Sequence, residues 1–160
     1  MKRIFTLVLL LLICGIQSFA RDDSETRQTL KGIKGVNVVV EGLSPAAEGL
    51  VTVEQLRTDV ELRLRTAGLN IGPAVVYLDV EVTIAKGHEQ LDRAYVFNCR
   101  SALLQYVAVS GNSVKALVET WSTDYVAIVG RDNVSKAIRS TVSDQVDQFL
   151  NAYLSANPKN

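Results

Sequence analysis

The chain is poor in the residues on which chemical sites are most often built: two cysteines, one histidine, one tryptophan and one methionine among 160 residues. His88 lies in a polar stretch with Glu89 and Asp92, short of the three or four good ligands that a zinc ion takes. Neither a nucleophile elbow nor an active-site cysteine signature accompanies it, so no metal, cofactor or Ser- or Cys-based triad is expected. An excess of one charge is missing too. The 17 Lys and Arg balance 17 Asp and Glu, and no basic run occurs. Nucleic acid and an anionic membrane surface are therefore not expected as partners. Beyond the first twenty residues no apolar run approaches the length that spans a bilayer.

The apolar run that does exist is at the N-terminus. Lys2 and Arg3 precede Ile4 to Ile13, and Ser18-Phe19-Ala20 puts small residues at the positions a signal peptidase reads. Residues 1–20 are expected to be an export signal cleaved after Ala20, which places the mature chain in the periplasm or outside the cell. Cys14 offers the alternative of a lipoprotein, although Leu11-Leu12-Ile13 before it are not the small residues such signals carry. With Lys2 and Arg3 removed, acidic residues outnumber basic ones by two. Cys99 is then the single thiol, so an internal disulfide is excluded and the fold must stand on its core.

Residues 21–34 are expected as a flexible leader and 35–160 as one domain. Residues 21–28 are polar and without periodicity, whereas Val36, Val38 and Val40 alternate as a first strand over 36–41. A helix follows from a capping box at Thr52 and Gln55, with Val53, Leu56, Val60 and Leu64 on one face and Gly68 as its stop. Residues 74–85 alternate most cleanly: Val76, Leu78, Val80, Val82 and Ile84 face one way, and Tyr77, Asp79, Glu81 and Thr83 the other. Two long strands, 94–109 and 114–129, flank a Gly111-Asn112 hairpin turn that pairs Val109 with Val114. That register carries Phe97, Cys99, Leu103, Val126 and Ile128 to the core and Arg100, Leu104, Tyr106, Trp121 and Tyr125 to the outer face. It also sets Asp124 on the core face opposite Cys99, which a bulge near Ser122 would relieve. From Asp132, a suitable N-cap, to Ala156 an amphipathic helix gathers the other elements, and Pro158 lies past its end.

The order strand, helix, three strands, helix predicts an α+β fold: a two-layer sandwich with both helices on one face of a four-stranded mixed sheet. The strand order stays open. The run Thr120-Trp121-Ser122-Thr123 with Val129-Gly130, the segment 54–65 and the helix end 149–158 resemble a group of small exported bacterial proteins. That resemblance implies no activity, ligand or catalytic residue.

Two functional readings follow. The first is a non-enzymatic envelope module that binds another envelope protein, its own copy, or a lipid or glycan, through a sheet edge or through an outer sheet face carrying Tyr77, Arg100, Tyr106, Trp121 and Tyr125. The protein's own chain could equally cover those aromatics. The second is a hydrolase using Asp79 and Glu81, two carboxylates on one strand face, with His88; set against it is a plain solvated face where Arg100 pairs with a carboxylate.

Overall fold

The computed structural model describes residues 21–41, 43–87 and 93–158; Cys14, Ala20 and His88 lie outside them. In chain order the elements are helix α1 (Ser24–Gln28), strand β1 (Gly35–Val40), a 3-10 turn (Pro45–Ala47), helix α2 (Val53–Thr66), strands β2 (Asn70–Ile71), β3 (Val76–Lys86), β4 (Ala94–Ala108) and β5 (Lys115–Gly130), a second 3-10 turn (Arg131–Asn133) and helix α3 (Val134–Ala156). The sheet is mixed and has five strands in the order β2-β1-β3-β4-β5. β1 runs parallel to β2 and β3, and β3, β4 and β5 form an antiparallel meander. The α+β expectation holds, but the sheet gains a fifth strand and the helix layer a third helix. β2 is two residues long, too short to show a period. It fits against β1 because Gly35 carries no Cβ, which would meet the Asn70 carbonyl oxygen at 2.8 Å.

Local chemistry explains the helix ends. Thr52 Oγ1 accepts from the Gln55 amide at 3.1 Å and Gln55 Oε1 from the Thr52 amide at 3.1 Å, the reciprocal cap expected from the sequence. Gly68 takes φ 85° and stops α2. Asp132, expected to cap α3, lies instead in the preceding 3-10 turn, and Asn133 at the cap makes no side-chain bond. Leu56, Val60 and Leu64 of α2 and Ile138, Val142, Val146 and Phe149 of α3 pack with Val36, Leu78, Val80 and Phe97 in one core. Both long helices therefore cover the same sheet face. Arg63 binds Asp147, and Arg139 binds Asp59, across the helix pair.

Residues 21–34, expected to be flexible, are tied down at several points. Arg21 and Ser122 exchange backbone bonds at the edge of β5, N to O 2.8 Å one way and 3.4 Å the other. Asp22 accepts from Trp121 Nε1 at 2.9 Å and holds Arg27 through two bonds of 2.7 Å. Leu30 and Ile33 enter the core, Tyr153 Oη donates to the Ile33 carbonyl, and Asn157 bridges Leu30 and Gly32. A segment polar in sequence thus acquires order from tertiary contacts rather than from its own periodicity.

Candidate binding surface

The outer face of the sheet, opposite α2 and α3, is set by one irregularity. Leu103 pairs with Trp121 but Leu104 with Glu119, so Thr120 is an extra residue in β5. Before it, toward the hairpin, the expected register holds. After it every side chain changes face. The bulge lies two residues ahead of Ser122, where it was expected.

Two expected site residues move accordingly. Trp121 is fully buried and meets the Phe149 ring edge-on at 5.4 Å, and Tyr125 turns to the core face beside Phe97. Neither is on the outer face. Val126 and Ile128, expected in the core, take their places outside at 51% and 67% exposure. Asp124 leaves the core face and pairs with Arg100 at 3.5 Å. Val109 and Val114, which the expected hairpin register set on the core face with Phe97 and Cys99, are exposed at the hairpin end. Cys99 is buried as expected, and burial pushes its thiol up to about 12.

Tyr77, Arg100 and Tyr106 do stand on the outer face. At the hairpin end Tyr77 pairs with Leu104 and Tyr106 with Leu117; Tyr106 is 57% exposed. At the opposite end Ala85, Val96 and Ile128 form a row, with Val126 one row in. Between these apolar ends runs a charged band. Glu81, Arg100 and Asp124 lie side by side, and Arg100 also binds Glu119. Asp79 pairs with Ala102, and its Oδ1 is buried without a hydrogen-bond partner among the described residues. Burial, aided by Glu41 and Glu81, holds the Asp79 carboxyl above its ordinary value. Burial also raises Asp124, against the pull of Arg100.

Asp79 and Glu81 are thus neighbours on one face, while the third member of the hydrolase set, His88, lies outside the described residues. Among those residues no group of three His, Cys, Asp or Glu is placed to hold a metal ion.

The core side of β5 has its own features. Gln145 of α3 is buried and fully engaged: Ser101 Oγ donates to its Oε1 at 2.9 Å, and its Nε2 donates to the Cys99 carbonyl at 2.7 Å. Beside it a cleft of about 520 Å³ opens between β5 and α3, lined by Tyr125, Ala127 and Val129 on one side and Ala137, Thr141 and Asp144 on the other. Sequence reasoning missed this cleft, since it depends on how α3 lies over β5, which no local pattern records.

No family model matches the chain, and no curated protein does. Solved structures with a similar course include a PelC dodecamer from Paraburkholderia phytofirmans, at 14% identity and TM-score 0.45, covering 75% of this chain and 86% of that one. A minor lipoprotein from Acinetobacter baumannii matches at 11% identity and TM-score 0.43, covering 78% of this chain and 93% of that one. Neither lends a residue or a role to this chain. No helix among the described residues is long and apolar enough to cross a membrane.

Proposed function

We infer that the chain is an exported, non-catalytic module of the cell envelope that binds a partner protein through the sheet face opposite its long helices. The export reading rests on residues 1–20 and cleavage after Ala20, and the resemblance to small exported proteins agrees with it. One observation carries the binding reading: both long helices pack on the same side, leaving Val96, Tyr106, Leu117, Val126 and Ile128 exposed on the other. Apolar ends around a charged band give such a face both area and orientation.

The test is capture from envelope extract by the mature domain, beside Tyr106→Asp and a helix-side control, Leu62→Asp. Leu62 is exposed on α2, so the control changes hydrophobicity without touching the sheet. Partner capture is expected to fall with Tyr106→Asp and to persist in the control. Equal capture by both variants contradicts the reading.

A hydrolase remains the second reading because one observation favours it: burial inclines the Asp79 carboxyl to keep its proton, and Glu81 stands beside it on the same strand face. Asp79→Asn separates the two, since it is expected to abolish a hydrolytic turnover and to leave partner capture unchanged.

A further inference from the structure

β5 is the last strand of the sheet, and its outward edge is used only in part. Ser122 turns its backbone away from β4 and bonds Arg21. Backbone direction alternates along a strand, so Val126, Ile128 and Gly130 also aim their N–H and C=O groups outward. Beyond Ser122 no described residue pairs with this edge.

Edge strands are normally blunted by lysine, proline, bulges or a covering segment. Here residues 125–129 read Tyr-Val-Ala-Ile-Val, five apolar residues without a break. Val126 and Ile128 are exposed on the outer face, and Tyr125, Ala127 and Val129 line the cleft toward α3. A strand apolar on both faces is the pattern of one covered on both sides, and an exposed apolar edge is a template for pairing with another chain. The Arg21 bridge shows that this edge accepts an antiparallel partner.

We propose that a second copy of the chain fills this edge, β5 pairing antiparallel with β5 about a two-fold axis at Ala127. An isologous contact must be self-complementary, and this register is. The outward-facing residues Val126 and Ile128 each lie opposite the other in the partner copy. On the helix side Tyr125 lies opposite Val129, and Ala127 opposite its own counterpart. Asp124 meets Gly130, so no carboxylates are brought face to face. Arg21 keeps its place at Ser122, outside the overlap. The cleft between β5 and α3 supplies room on the helix side for the incoming side chains. The two sheets then run on as one, with the helices of both copies on the same face. This pairing shares Val126 and Ile128 with the binding face above but uses the edge beside them and leaves the Tyr106 end of the face open, so the two readings are separated at Tyr106.

Sedimentation of the mature domain over a range of concentrations tests the pairing, beside Val126→Lys and Ile128→Lys. Both side chains are exposed in the single copy, so the variants are expected to keep its circular dichroism and unfolding midpoint under dilute conditions. The native chain is expected to dimerise, and each lysine to move the monomer–dimer midpoint to at least about tenfold higher concentration. The register has its own readout. At the axis the two Ala127 Cα atoms come to about 4.5 Å, within disulfide reach, so Ala127→Cys is expected to cross-link on mild oxidation and Leu117→Cys is not. Tyr106→Asp, at the other end of the sheet, is expected to leave the dimer intact. A native chain that stays monomeric overturns the proposal, as does a dimer indifferent to both lysines or cross-linking equally ready at Leu117→Cys.

Discussion

The two faces of the sheet treat their polar groups in opposite ways. On the helix side each buried polar group found in the core has a partner: Gln145 is bonded to Ser101 and to the Cys99 carbonyl, Thr123 to Gln148, and the Trp121 indole to Asp22. On the outer side Asp79 keeps a buried oxygen with no hydrogen-bond partner among the described residues, and large apolar side chains stand in solvent next to charges. The first pattern is what stability alone selects. The second conflicts with it, and such conflicts concentrate where a surface is used. The same contrast holds between two carboxyls shifted in opposite directions. Arg27, then Trp121, holds Asp22 below its ordinary value, while burial holds Asp79 above.

Substitutions can break this contrast, beginning with the largest effect. Trp121→Ala removes a fully buried ring packed on Phe149 and is expected to cost about 3–5 kcal/mol in chemical denaturation; a loss below about 1 kcal/mol would return Trp121 to the surface. Gln145→Ala strands Ser101 and a backbone carbonyl and is expected to cost about 1–3 kcal/mol. Its effect should be matched on neither side of the sheet by Thr83→Ala, an exposed residue expected to change the midpoint by less than about 0.5 kcal/mol.

Asp22→Ala comes next, at about 1–2 kcal/mol near neutral pH. Because the folded state depresses the pKa of Asp22, its contribution is present above the ordinary value of 3.8 and fades as pH falls through the folded value. Unfolding midpoints of Asp22→Ala and the native chain should therefore converge in acid. Asp79 has the reverse sign. Its raised pKa means the native state holds the proton more tightly, so its contribution is full below 3.8 and is lost as pH rises through the folded value. Asp79→Asn is expected to give a small gain in midpoint at neutral pH that vanishes in acid. A loss at neutral pH would show that the ionised carboxylate is well accommodated.

Much of the fold could be read from residues alone where the signal is local. The alternation through Leu78, Val80 and Val82 defines β3, Thr52 and Gln55 define the start of α2, and Gly111-Asn112 sets the hairpin. Tyr77, Arg100 and Tyr106 fall on the outer face as expected, since β3 and β4 alternate without interruption. Trp121 and Tyr125 do not, because they follow the extra residue Thr120 in a run, Glu119 to Thr123, that has no glycine or proline to mark a break. One inserted residue exchanges the faces of everything after it. The order in residues 21–34 was equally hidden. It comes from Asp22, Leu30 and Asn157 finding partners far away in the chain, and no local period records that.

Trp121 is the single tryptophan, so its fluorescence reports directly on which face the bulge assigns to it. Acrylamide quenching of the chain from Arg21 onward is the measurement that bears most closely on the bulge. The structure predicts a blue-shifted emission that acrylamide quenches weakly until the domain unfolds. Quenching in the native state as strong as in the unfolded chain would place Trp121 on the outer face, remove the bulge at Thr120, and return Val126 and Ile128 to the core.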